Sequence, residues 1–232
     1  MTTDNNILTK TTHIGFLVDI SASMVGIYRS IIEKGIDEFL QKQLLIENNI
    51  QFYGYAFNEY IYKIFPGINL KNNPNVKDEF LKINPNGLTS LYDSMLEIIK
   101  NIEDKYKPDD EVIICVMTDG EDNSSKQSST ILKEVIKNCK NKNWIIILFG
   151  TIEANITSNS KLLGLSTDCI MEIGKSEYET TNAYRSLSQG IDRVRDGIDN
   201  NITFTSIERS FSNSELFKIP NNIVYSKLPT NI

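Results

Sequence analysis

Histidine is nearly missing from this chain. One imidazole, His13, in 232 residues leaves little room for a Ser–His–Asp hydrolase or for any centre with two His ligands. Alone, His13 is expected as a surface or strand-start residue. Cysteine is scarce as well. Cys115, Cys139 and Cys169 are odd in number, far apart, set in apolar stretches and without C-x-x-C spacing, which argues against disulfides and structural zinc. A reducing, cytoplasmic setting follows as the expectation. Long hydrophobic runs are absent too: Val112 to Met117 and Trp144 to Phe149 stop at six residues, too short to cross a bilayer. The polar stretch Met1 to Lys10 lacks the apolar region of a signal peptide. Positive charge is not in excess, the net charge being −6. Lys140, Lys142, Arg185, Arg193 and Arg195 form no stripe with stacking aromatics, so no nucleic-acid surface is expected. No Gly-rich phosphate loop follows the first apolar run.

What is present is a core. Hydrophobic residues make up 40% of the chain, enough for a packed α/β domain. His13 to Val18 reads as a buried strand ending at Asp19, and Ile27, Ile31, Ile32, Ile36, Phe39 and Leu40 then recur at helical spacing. Glu33 and Asp37 fall on the solvated face of that helix. Ile50 to Phe57 and Tyr60 to Phe65 flank Asn58-Glu59 as a hairpin, and a weak helix is predicted from Asn75 to Ile83. A stronger one carries Leu91, Met95, Ile98, Ile99 and Ile102. Glu111 to Thr118 and Trp144 to Phe149 are buried strands, with a helix through Ile131, Leu132, Val135, Ile136 and Cys139 between them. A short helix from Ala154 to Leu163, a strand from Asp168 to Ile173 and a helix from Glu177 to Ile198 complete the series. The last helix has Tyr184, Leu187, Ile191, Val194 and Ile198 on one stripe. Such alternation implies a mostly parallel sheet covered on both faces, with the hairpin adding one antiparallel edge strand. Residues 199–232 are polar and Asn/Ser-rich, with Phe204, Ile207, Phe211, Leu216 and Phe217 scattered through them. They read as an extension packing onto the domain or onto a partner.

Three short pieces carry chemistry: Asp19-Ile20-Ser21-Ala22-Ser23, Gly87-Leu88-Thr89 and Thr118-Asp119-Gly120-Glu121-Asp122. Each lies just after a buried strand or just before a helix, and ligands of doubly wound sheets bind at carboxyl ends of strands. Asp19, Ser21, Ser23, Thr89 and Asp119 are hard oxygen donors suited to Mg²⁺, Mn²⁺ or Ca²⁺ rather than Zn²⁺ or Cu²⁺. Two carboxylates only neutralise a divalent ion, which favours an open docking site over a closed structural one. Taken singly, Ser23 and Thr89 could be helix caps and Asp119 a turn residue. Glu121, Asp122 and Asp93 read as solvated loop or helix-start acids.

Together, in this order, the pieces resemble the von Willebrand factor type A domain. Its metal-ion-dependent adhesion site has the pattern Asp-x-Ser-x-Ser, then Thr, then Asp. The resemblance covers residues 12–198, leaving 1–11 as a polar N-terminal segment and 199–232 as a C-terminal extension. It implies a Rossmann-like, doubly wound, mostly parallel six-stranded sheet with helices on both faces. It also implies direct metal contacts from Ser21, Ser23 and Thr89, with Asp19 and Asp119 completing the shell. The run Thr118 to Ser124 looks more like intracellular bacterial and viral members than adhesion receptors. The function so implied is a non-enzymatic module that binds a Glu or Asp of a protein partner through Mg²⁺. Val25, Tyr28, Leu88 and Asn123 are the expected specificity residues around the ion. Two rivals stay open: a metal-dependent hydrolase or phosphatase using the same ion, and an interaction scaffold without metal.

Overall fold

The computed structural model describes residues 10–45, 49–72, 75–151, 156–174 and 176–213. The first strand, β1 (Thr11–Asp19), is followed by a single helical stretch, α1. This passes from a 3-10 turn (Ala22–Gly26) through a short α segment (Tyr28–Ser30) and a π-helical stretch (Ile31–Ile36) into an α-helix (Asp37–Leu44). The hairpin follows as β2 (Asn49–Phe57) and β3 (Ile61–Asn69), then α2 (Val76–Leu81) and α3 (Leu91–Glu103). The second half comprises β4 (Glu111–Met117), α4 (Ser129–Asn141), β5 (Ile145–Gly150), α5 (Ile156–Leu162), β6 (Ile170–Glu172), α6 (Glu177–Arg195) and α7 (Ser206–Ser212).

These six strands form one sheet in the order β3-β2-β1-β4-β5-β6. All neighbours run parallel except β2 and β3, which pair antiparallel. From β1 the chain leaves toward β2 on one side and returns as β4 on the other. A crevice therefore opens between the carboxyl ends of β1 and β4, where the connections diverge.

Alternation along the strands feeds two cores. Ile14, Phe16 and Val18 of β1 join Ile32, Ile36 and Phe39 of α1 and Tyr184, Leu187 and Ile191 of α6 on one face. Leu17 faces the other way, toward Leu91, Met95 and Ile98 of α3 and Leu132 and Ile136 of α4. Strands buried on both faces explain why β1, β4 and β5 read as continuous apolar runs rather than alternating ones.

Several local expectations need correction. His13 is 2% exposed, not a surface residue; its ring is held between the Tyr53 hydroxyl and Asp110, each at 3.0 Å. The sixth strand is shorter than expected because Thr167–Cys169 forms a 3-10 turn capped by the Ser166 hydroxyl. The α6 stripe ends at Val194: Ile198 lies past the helix and is 70% exposed. Beyond it, Ile202 and Phe204 enter the core and α7 packs on the domain, whereas Ile207 and Phe211 face solvent. Ala154, Leu216 and Phe217 lie outside the described residues. The three cysteines are buried and free. Among the described residues no helix is long and apolar enough to cross a membrane.

Candidate metal centre

Asp19 ends β1 and is fully buried. Its Oδ1 accepts from the Ser21 backbone N–H at 2.7 Å, and its Oδ2 from the Thr118 hydroxyl at 2.6 Å. Burial pushes its carboxyl up to about 6, against the opposing effect of the hydrogen bonds from Thr118 and Ser21, and the nearby Asp119 charge adds to the rise. Among the described residues no Lys or Arg pairs with it. A buried carboxylate without a counter-charge is costly.

The hydroxyls converge in front of it. Ser21 and Ser23 stand 3.1 Å apart Oγ to Oγ, and the Ser23 hydroxyl donates to Asp119 Oδ1 at 2.7 Å. Thr89 comes in from the loop before α3, buried, and no hydrogen bond to its hydroxyl occurs among the described residues. A Cβ built on Gly120 would lie 3.7 Å from Thr89 Oγ1 and 3.9 Å from Ser23 Oγ, so the bare glycine leaves open a space that both hydroxyls border. None of these side chains caps a helix. Ser21 holds the N-cap position of the 3-10 turn and Ser90 that of α3, neither with a side-chain cap bond. The simple capping explanation for the Ser/Thr pattern therefore does not describe this structure.

The donor set fits a small hard cation. Octahedral oxygen ligands at 2.0–2.1 Å from Mg²⁺ stand roughly 2.9 Å apart, and the observed oxygen spacings of 3.1 and 2.7 Å bracket that value. No group of three or more His, Cys, Asp or Glu side chains is gathered for a metal among the described residues. What converges here is two carboxylates and three hydroxyls.

The loops around the cradle are held by contacts that sequence reasoning missed. Glu59 Oε2, from the hairpin turn, accepts from the Leu88 backbone N–H at 2.9 Å. Gly87, at φ 82°, lies so close that a Cβ would sit 1.9 Å from that same oxygen. The Asn123 side chain accepts from the Thr89 N–H at 2.8 Å. Asp122 accepts from Tyr92 N at 3.2 Å, and Asp93 accepts from Lys126 N and Gln127 N, both at 2.9 Å. Asp93 and Asp122 are thus loop fasteners rather than merely solvated acids. Their acceptors serve backbone N–H groups of other segments, the first turn of α3 for Asp122 and the loop at Lys126 and Gln127 for Asp93, a pairing that residue spacing does not display. Tyr28, expected on the binding face, is buried, and its hydroxyl donates to Phe80 O at 2.6 Å. Val25 and Leu88 are exposed, at 66% and 54%.

The comparison that decides the family is a match to the von Willebrand factor type A domain over residues 13–185. The chain belongs to this family. The described sheet agrees, and solved structures share the fold. The PilB minor pilin of Streptococcus sanguinis superposes with a TM-score of 0.61 at 13% identity, covering 80% of this chain and 62% of that one. The manganese-loaded TRAP protein of Plasmodium vivax gives 0.53 at 18% identity over 78% and 71%. The mussel byssus protein PTMP1 with a zinc-occupied MIDAS motif gives 0.52 at 16% over 70% and 41%. This von Willebrand factor A chain spans less than two thirds of the pilin and of PTMP1. At these identities the likeness concerns the fold. No curated protein matches the sequence significantly.

Proposed function

We propose that this von Willebrand factor A domain is a metal-dependent protein-interaction module. Ser21, Ser23 and Thr89 hold a divalent cation, Mg²⁺ with Mn²⁺ or Ca²⁺ as substitutes, and Asp19 and Asp119 support them from behind. A Glu or Asp of a protein partner completes the coordination. The observation that carries this reading is the chain of close oxygens Ser21–Ser23–Asp119, at 3.1 and 2.7 Å, with the Thr89 hydroxyl bordering the same space at Gly120, beside a buried Asp19 carboxylate that no basic side chain pairs with among the described residues. Solved neighbours carry manganese in one case and zinc in a MIDAS motif in another, which supports a divalent ion in general. It also means that zinc belongs among the ions to be tried.

Binding is favoured over catalysis because the single imidazole, His13, is held by Tyr53 and Asp110 six residues before Asp19 along β1, so no Ser–His pair forms at the site. The bound ion supplies one thing, an electrophilic position for an anionic oxygen. Residues of this chain fix where that position faces and what surrounds it. Three buried free cysteines support a reducing, intracellular setting, and neither nucleic acid nor membrane is part of the reading. Titration calorimetry with Mg²⁺ and Mn²⁺ tests the proposal. Wild-type protein should bind with modest affinity, and Asp19→Ala/Asp119→Ala should lose binding. Equal binding in the two proteins would overturn the assignment.

A further inference from the structure

From the loops around the cradle we infer that Asn123 is a positioning residue for the proposed metal site, acting through Thr89. The inference rests on the metal-site reading above and extends it to a residue outside the five donors.

Thr89 belongs to no helix or strand, and its loop has no regular ladder to hold it. Instead, three consecutive backbone N–H groups are each satisfied by a different acceptor. Leu88 N donates to the Glu59 carboxylate at 2.9 Å, Thr89 N to the Asn123 side-chain oxygen at 2.8 Å, and Ser90 N to the Asn58 carbonyl at 2.9 Å. Asn123 closes a second bond in the opposite sense, its backbone N–H donating to Thr89 O at 2.9 Å. Asn123 thus holds Thr89 on both its backbone groups, its side chain alone on the N–H, while Ser124 N shares the carbonyl at 3.1 Å. The loop of Asn123 is the one carrying Asp119, four positions upstream.

The consequence is mechanical. Asp119 accepts from Ser23 at 2.7 Å, and the Asn123 bracket ties Thr89 to the same loop. The two donors are thus fixed relative to each other across separate segments of the chain. The Thr89 hydroxyl itself has no hydrogen bond among the described residues to orient it, so the position of its backbone decides where the oxygen stands. Small errors in donor position matter for Mg²⁺, which demands near-ideal octahedral geometry. Outer partners that orient metal ligands typically change affinity by 10–100-fold when removed. Asn123 is exposed, so its removal opens no cavity in the core.

A double-mutant cycle read by Mn²⁺ calorimetry, with melting temperatures taken in EDTA, tests this. Asn123→Ala should weaken Mn²⁺ binding about 10-fold while leaving the EDTA melting temperature near wild type. Asn123→Asp, which keeps the accepting oxygen, should restore binding. In a Thr89→Ala background, Asn123→Ala should cost nothing further, because the oxygen it positions is already gone. Asn123→Ser, too short to reach Thr89 N, serves as the second truncation and should behave as Asn123→Ala does. Wild-type affinity in Asn123→Ala and Asn123→Ser, or additive losses with Thr89→Ala, would overturn the positioning role while leaving the site itself intact. No Mn²⁺ binding by wild-type protein would overturn the site and this role together.

Discussion

Asp19 is the residue on which the energetics of the site turn. Its carboxyl in the folded protein sits at about 6, above the ordinary 3.8, chiefly because it is buried. The folded state therefore binds this proton more tightly than the unfolded chain does. Its contribution to stability is full below about pH 3.8 and is lost as pH rises through 6. At neutral pH the metal-free protein carries the charged form at a cost of about 3 kcal/mol. Asp19→Asn keeps the acceptor for Ser21 N and turns an amide donor toward Thr118, whose hydroxyl already has a second acceptor in Gly120 O at 3.2 Å. In EDTA at pH 7 this variant should be more stable than wild type by about 2–3 kcal/mol, with the gain vanishing near pH 4 and metal binding abolished. Denaturant unfolding between pH 4 and 8 measures this, and a variant less stable than wild type at pH 7 would contradict it. The five proposed donors come from the sequence because hydroxyls and acids at strand ends have few other uses in such numbers. The fastening roles of Glu59, Asp93 and Asn123 do not show in the sequence, since each serves a backbone N–H some 30 residues away.

At the scale of the element, α1 shows where periodicity suffices and where it does not. Its apolar positions at 3.6-residue spacing place a helix over the right residues and on the right face. They do not reveal that Ile31–Ile36 is wound as a π-helix. A remote side chain packs directly against this stretch: a Cβ on Gly35 would stand 1.7 Å from Tyr184 Cε2. The Tyr184 ring is stacked on Phe16 and Phe149, so it has little room to retreat. Gly35→Ala should therefore destabilise the protein by about 3 kcal/mol, at the upper end of overpacking costs, even though alanine raises intrinsic helix propensity. Urea unfolding decides between the two effects, and a stabilised variant would show that Tyr184 yields. The region after α6 was legible only in part for a similar reason. Its polar composition suggested an extension, whereas α7 is fixed by Arg209, which donates to the carbonyls of Ile170 and Thr167 at 2.6 and 2.9 Å. That side chain covers the outer edge of β6, a strand otherwise open to pairing.

Across the whole molecule, folding and the proposed metal binding are separable. Both apolar cores are complete without any of the five donors: Ile14, Phe16 and Val18 pack on one face and Leu17 on the other, and Asp19 begins where they end. Asp19 closes β1, and the other four proposed donors lie past the strand ends, in loops fastened by their own hydrogen bonds, such as Ala22 N to Gly87 O at 3.1 Å and Asn86 N to Ile20 O at 2.7 Å. Chelation should thus leave the fold standing. At tenfold excess over Kd an ion adds only about 1.4 kcal/mol by mass action, which for a chain of this size moves Tm by about 3–5 °C. What chelation should remove is the partner. A carboxylate bound to a metal does not tell one acid from another, so discrimination falls to the exposed side chains around the cradle. Leu88 is the best placed of these, since its backbone is pinned by Glu59 while its side chain stays 54% exposed. Leu88→Ala should lower affinity for a protein partner about 10-fold, the scale of one lost apolar contact, with Mn²⁺ affinity unchanged. Asp119→Ala should lose the metal and the partner together. Scanning calorimetry with and without EDTA checks the first half of this argument, and complete unfolding on chelation would refute it. Partner titrations of the two variants check the second, and a Leu88→Ala protein that loses Mn²⁺ affinity as well would place the side chain in the metal site rather than beside it.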